Sequence, residues 1–306
     1  MYPHDPITVV EVGPRDGLQY EPDFFPTDKK IELIDRLGRT GLSRLEITSF
    51  VHPKAIPQFA DVMDVLGKMT KREGVVYSAL VPNVKGCQRA LTTNVDELAL
   101  FVSASEAHNR KNVNLIVDES LAALAEVAGL GREGDRRLRG YVVTAFGCPY
   151  EGGIDVERVK EIVKAYQDMG VAEVSFGDTT GMANPRQVYG FFSQMIPAAG
   201  SIRVAAHFHN SRGTGLANAL AAYQAGVRVF DASVGGIGGC PTAIGAMGNI
   251  ATEDLVNMME EMGVPTGVDQ DKLLDAARFA QKVIGNELPS YVLKSGRPCW
   301  SGDDAA

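Results

Sequence analysis

The chain has 306 residues, 45% hydrophobic and 22% charged, with a formal net charge of −8. This is enough apolar material for a large core. An acidic balance without a basic run argues against nucleic acid as a partner, and no apolar run reaches the roughly 18 residues of a membrane span.

The predicted elements alternate. A strand "ITVVEVG" (7–13) is followed by a helix "TDKKIELIDRLGRTG" (27–41), with Thr27 as its N-cap, apolar positions 31, 34 and 37 at helical spacing, and Gly41 as its stop. Strands follow at 42–50, 75–82, 97–105 and 138–146. A helix at 155–170, capped by Asp155 and stopped by Gly170, leads to a strand at 172–180 and another at 202–210. A helix at 214–226, a strand at 227–236 and a helix at 252–263 complete the eighth unit, and one more helix covers about 269–285. Eight β-then-α units predict a single (β/α)8 TIM barrel, an α/β fold, with an additional C-terminal helix. The expected organisation is one catalytic domain over 1–306, with a peripheral tail from about 290. An open doubly wound sheet is the competitor, but the first turn, "VGPRDG", is not the glycine-rich dinucleotide fingerprint.

The four cysteines, Cys87, Cys148, Cys240 and Cys299, have no CxxC spacing. Reduced thiols in a cytoplasmic protein are the expectation. "MYPHDPITVVEVG" lacks a basic segment followed by an apolar run, so no signal peptide is expected.

Chemistry in such a barrel gathers at the carboxyl ends of its strands. There the sequence places Arg15 and Asp16 ("GPRDGLQ"), Glu46, Asp178, and the pair His207 and His209 ("HFHN"). Further on come Cys240 in "GGIGGCP", Asn249 and Glu253. Residues i and i+2 of a strand share a face, so the two imidazoles project together and can chelate one metal ion. Asp16 reads equally as a turn cap or a ligand, and Arg15 as a catalytic cation or a salt-bridge partner. Glu46 lies within an apolar strand and must be paired or ligating. Cys240 alone reads as inert, but Gly235, Gly236, Gly238 and Gly239 around it suggest a mobile loop. Cys87 and Cys148 read as structural, and His52 and His108 as incidental. Asp16, His207, His209 and Asn249 would supply two oxygens and two nitrogens. That set suits a hard or borderline dication, Mg²⁺ or Mn²⁺ before Zn²⁺ or Co²⁺.

"EVGPRDGLQ", "LEITSFVHPK", "GCPYEG", "GDTTG", "HFHN", "GGIGGCP" and "GNIATEDLV" together resemble the 3-hydroxy-3-methylglutaryl-CoA lyases, a branch of the metal-dependent lyase and Claisen-synthase barrels. The resemblance implies a divalent cation at Asp16, His207, His209 and Asn249. It implies Arg15 near the thioester or carbonyl oxygen, Cys240 in proton transfer on a flexible loop, and Glu46, Asp178 and Glu253 at or beside the site. It further implies an acyl-CoA substrate, cleavage to acetyl-CoA and a keto acid such as acetoacetate, and a homo-oligomer, commonly a dimer. The chain departs from the family after H-x-H, reading "NSRGTGLAN" where the family commonly reads "DTYGQALAN", and it has Pro22 where a lysine is common. Asn210 and Arg212 are therefore expected to bind substrate at a more positive pocket mouth. This leaves open another acyl group such as citramalyl-CoA, or a hydroxy-keto acid cleaved without CoA.

Overall fold

The computed structural model describes residues 4–239 and 248–298. Eight strands close into a barrel in sequence order: β1 (Thr8–Glu11), β2 (Arg44–Ser49), β3 (Val76–Leu80), β4 (Glu97–Ser103), β5 (Arg137–Val143), β6 (Glu173–Asp178), β7 (Arg203–Phe208) and β8 (Val229–Ala232). Every neighbouring pair is parallel, and β8 returns to pair with β1. The expected (β/α)8 barrel is the observed fold. Each strand falls inside its expected span except β5, which begins one residue earlier at Arg137.

Around the barrel run α1 (Thr27–Leu37), α2 (Val62–Lys68), α3 (Val84–Leu91), α4 (Glu106–Val113), α5 (Val117–Glu133), α6 (Val156–Asp168), α7 (Pro185–Ala198) and α8 (Gly215–Gln224). α9 (Thr252–Glu261), α10 (Gln270–Ile284) and α11 (Tyr291–Ser295) follow β8. Outward strand residues such as Leu45, Leu98, Phe176 and Phe230 meet the inner helix faces at Leu33, Val127, Ile162, Phe192 and Leu255 in one apolar layer. That layer is the main core, and its burial is the dominant favourable contribution to folding. Among the described residues no helix is long and apolar enough to cross a membrane.

Asp155 caps α6 by accepting the Glu157 N–H, and Gly170 follows the helix with a positive φ. At α1 the cap is Pro26 and Thr27 is the first helical residue, because its hydroxyl donates to Asp61 instead. That helix ends at Leu37, four residues before Gly41. The segment from 290, expected at the periphery, is tied to α9. The Ser290 hydroxyl and the N–H groups of Tyr291 and Val292 all donate to the Asp254 carboxylate. Cys299 lies outside the described residues.

Candidate active site

The exit of β1 builds the first part of the site. The Val12 carbonyl accepts the N–H groups of Arg15, Asp16 and Gly17 at 3.1, 2.6 and 3.3 Å, winding Gly13–Gly17 into one wide turn. Gly13 is required there, since a Cβ would lie 2.6 Å from Glu11 Oε1. The turn buries Arg15 and Asp16 at the barrel mouth. β7 supplies His207, and His209 follows two residues on, facing the same way. Their Nε2 atoms stand 3.2 Å apart, and His207 Nε2 is 3.9 Å from Asp16 Oδ2. Ligand atoms of Asp16, His207 and His209 all fall within 4.8 Å of one another.

Asn249 reaches this cluster because residues 248–251 lie between the ends of β7 and β8. Asn210 N–H donates to Gly248 O, Ile250 N–H to Phe208 O, and Ser233 N–H to Ile250 O. Asn249 consequently pairs with His209 across an isolated bridge, and its Nδ2 donates to Asp16 Oδ2 at 2.9 Å.

The electrostatics are those of a buried, mutually dependent group. Burial pushes the Asp16 carboxyl up, but Arg15, His207, His209 and the Asn249 hydrogen bond outweigh it and hold its pKa at about 2. Burial lowers His209 to about 3, reinforced by His207. For His207 burial is overcome by Asp231 and Asp16, and its pKa rises. For Arg15 likewise, burial opposes the charge, while Glu46 and Asp16 more than offset it and raise the pKa.

The residues fit a dication. Asn249 Oδ1 is buried without a hydrogen-bond partner, a condition buried polar atoms rarely tolerate. Two imidazole nitrogens facing each other at 3.2 Å match the roughly 3.0 Å separation of donors that sit about 2.1 Å from one ion at a right angle. Behind His207, Asp231 Oδ2 lies 3.4 Å from Nδ1, an ion-pair contact without hydrogen-bond alignment. A carboxylate behind a histidine commonly orients a metal ligand in this way.

The other candidate residues fall around this cluster, not in it. Glu46 is buried and accepts from Arg15 Nε and, at 2.9 Å, from the Tyr141 hydroxyl, so it holds the guanidinium. Asp178 accepts the N–H groups of Met182 and Ala183 and closes its own turn, and burial raises its pKa to about 6. Glu253 accepts Gly235 N–H with both oxygens, and burial raises it to about 8. Asn210 and Arg212, expected at the pocket mouth, are not among the described residues that line the cavity. Asn210 Oδ1 accepts Gly215 N–H, and Arg212 Nη1 donates to the carbonyls of Thr180 and Gly181. Cys240 lies outside the described residues. Of the glycines before it, Gly235 is not a source of mobility. It has φ 66°, and a Cβ would lie 2.3 Å from the buried Leu288.

The cavity holding the cluster has a volume of about 370 Å³, in the ordinary range for small-ligand sites. It is lined by the charged and metal-ligating types Arg15, Asp16, His207 and His209, by the apolar Leu80, Phe101 and Val143, and by Tyr141, Thr179 and His108. Sequence reasoning missed Asp231, Tyr141 and Arg139, and it dismissed His108. Asp231 carried the signal already read in Glu46, a carboxylate inside an apolar strand. Cys87 and Cys148 are buried free thiols, as expected for structural residues.

A family model described as HMGL-like matches residues 6–280. The chain belongs to the HMGL-like family. It is 47% identical over 288 residues to the Bacillus subtilis hydroxymethylglutaryl-CoA lyase YngG, covering 94% of this chain and 96% of that protein. It is 44% identical over 289 residues to the mitochondrial hydroxymethylglutaryl-CoA lyase of Bos taurus, covering 94% and 89%. Among solved structures, the Bacillus subtilis HMG-CoA lyase superposes with a TM-score of 0.93 at 47% identity, covering 96% and 98% of the two chains. An Acinetobacter baumannii HMG-CoA lyase in complex with coenzyme A and 3-methylmalate also gives 0.93, at 45% identity and 98% of each chain.

Proposed function

We propose that this protein is a carbon–carbon lyase that cleaves 3-hydroxy-3-methylglutaryl-CoA to acetyl-CoA and acetoacetate. In this reading Asp16, His207, His209 and Asn249 hold one divalent cation, Mg²⁺ or Mn²⁺. The observation that carries it is the convergence of Asp16, His207 and His209 within 4.8 Å, beside a buried guanidinium, in a chain whose relatives are named for this activity. When bound, the cation supplies Lewis acidity that lowers the pKa of a substrate hydroxyl and offsets the charge of a neighbouring carboxylate.

The chain's own residues do the rest. Arg15 keeps its charge at any working pH and stabilises the negative oxygen of the acetyl-CoA enolate as the C2–C3 bond breaks. Glu46 and Tyr141 hold it in place. The hydroxyl proton is taken up within the cluster, where Asp16 is ionised and offers two oxygens. The enolate carbon then needs a proton, and Cys240 is the proposed donor. Glu253 acts one step back, fixing the turn at Gly235 from which the chain runs on toward Cys240. A cytoplasmic homo-oligomer belongs to the same reading.

The test is a panel of hydroxyacyl-CoA thioesters and their free acids, offered to chelator-stripped protein with and without Mg²⁺ or Mn²⁺. Acetyl-CoA release from the methylglutaryl thioester, only with metal, is expected. Release from citramalyl-CoA alone would change the acyl group, and cleavage of a free acid at a comparable rate would contradict the reading.

A further inference from the structure

We propose that Glu11 is a positioning residue whose carboxylate fixes the two oxygen-donor residues of the cluster, Asp16 and Asn249, relative to each other. This rests on the dication reading above. Glu11 opens the motif "EVGPRDGLQ", and no step of the proposed reaction uses it. It is the last residue of β1, between Val10 and Val12, which pack with Ala205 and Val229 in a cluster of their own. Ala205 shares its strand face with His207, so that cluster lies inside the barrel. Alternate strand residues face opposite ways, so the Glu11 carboxylate points away from the lumen. It is not among the described residues that line the cavity, and its influence on the site must pass through other residues.

Glu11 is fully buried, and among the described residues its partners are three hydrogen-bond donors and no cation. Oε1 accepts the N–H groups of Gly13 at 2.7 Å and Val234 at 2.9 Å, and Oε2 accepts the Thr252 hydroxyl at 2.6 Å. The three donors lie on three segments. Gly13 begins the turn that carries Arg15 and Asp16. Val12 O takes the N–H groups of Arg15, Asp16 and Gly17, and Pro14 has none, so Glu11 satisfies the remaining donor of that turn. Thr252 comes three residues after Asn249 and opens α9. Val234 follows the end of β8, where Ser233 O accepts the Thr252 N–H at 3.0 Å. One carboxylate thus ties the Asp16 turn to the Asn249 segment, with the end of β8 as a common anchor.

A buried carboxylate without a cation is costly, and an apolar side chain at this position would avoid the cost. What the carboxylate adds is placement, since each of its bonds fixes where one segment stops. The nitrogen half of the cluster needs no such device. His207 and His209 come from one stretch of chain, and Asp231 lies behind His207. Asp16 and Asn249 are 233 residues apart on no common element, yet Asn249 Nδ2 meets Asp16 Oδ2 at 2.9 Å. Their spacing depends on what joins the two segments behind them, and Glu11 bonds to both. Residues that support metal ligands in this way govern metal affinity by about 10–100-fold.

The experiment titrates the chelator-stripped full chain with Mn²⁺ as parent, Thr252→Val, Asn249→Ala and the double variant, with Glu11→Leu and Glu11→Gln alongside. Thr252→Val deletes one Glu11 contact at nearly constant side-chain shape and is expected to weaken Mn²⁺ binding about tenfold. In the Asn249→Ala background, which keeps the other three donors, the same substitution is expected to have no further effect, because it acts through Asn249. Glu11→Leu is expected to weaken binding at least as much. Glu11→Gln is expected to recover most of the loss, since its carbonyl can accept the two N–H groups and its amide can donate to the Thr252 hydroxyl. If Glu11→Leu does not fold, the Thr252→Val cycle decides alone. Parental Mn²⁺ affinity in Thr252→Val, in a parent that binds Mn²⁺, overturns the role of Glu11 and leaves the dication reading standing. Equal losses from Thr252→Val with and without Asn249 mark a merely structural contact and also overturn it. A parent that binds no Mn²⁺ overturns the dication reading, and this proposal with it.

Discussion

The floor and the mouth of this barrel both bury charged side chains, and they treat them differently. On the floor Arg44 donates to Glu173 at 2.8 Å and to Glu97 at 3.0 Å. Arg139, fully buried, donates to Glu173 at 2.7 Å, to Asp231 at 2.6 Å and to the Tyr141 hydroxyl. Each guanidinium there meets its acceptors, as buried charges require. At the mouth Asn249 Oδ1 is left without a partner, and two Nε2 atoms face each other. A satisfied network specifies the interior, whereas an unsatisfied one of converging donors marks a ligand site. The two layers are joined. Asp231 links Arg139 to His207, and Tyr141 links Arg139 to Glu46 and so to Arg15.

Breaking the floor is expected to cost stability and breaking the mouth to cost activity. Arg139→Met removes the guanidinium that pairs with Asp231 in the interior, while Glu173 keeps Arg44, and is expected to destabilise the fold by about 3–5 kcal/mol; a melting temperature near that of the parent would contradict this. Arg15→Gln is expected to lower kcat by about 10²–10³-fold with Mn²⁺ affinity retained. Steady-state kinetics beside a metal titration separate the two.

Glu253 and Glu11, raised by burial to about 8 and about 7, sharpen the contrast through pH. Their folded-state values exceed those of the unfolded chain, so the folded state binds the extra protons. Their contribution is fully present below the unfolded carboxylate pKa of about 4.3 and is lost as pH rises through 7 to 8. Melts from pH 5 to pH 9 should therefore fall less steeply for Glu253→Gln than for the parent, and parallel curves would count against the shift. The smallest effect is expected from the Asn210→Asp/Arg212→Tyr pair. Both side chains are committed to backbone groups, so acyl preference should not move. A changed ratio of kcat/KM values between methylglutaryl and citramalyl thioesters would bring them back into the site.

What the sequence made legible follows the range of each interaction. The eight strands and the shared direction of His207 and His209 depend on periodicity within a few residues, and they were readable. Thr27 looked like a cap until its hydroxyl found Asp61, 34 residues on. Arg139 and Asp231 are 92 residues apart, so neither announces the other. Asn249 joins the cluster only because residues 248–251 insert between two strand ends, a long-range placement that spacing within the chain does not show. The glycine run from 235 suggests mobility in sequence, whereas at Gly235 the backbone has a positive φ and packs closely on Leu288.

The central claim is that the unsatisfied mouth is a single dication site. Chelator-stripped protein titrated with Mn²⁺, as parent and as His209→Ala, tests it most directly. One tightly bound Mn²⁺ per parent chain, and its loss from a variant that keeps the parental circular dichroism spectrum, is the predicted result. Equal Mn²⁺ stoichiometry and affinity in the two proteins would contradict the account.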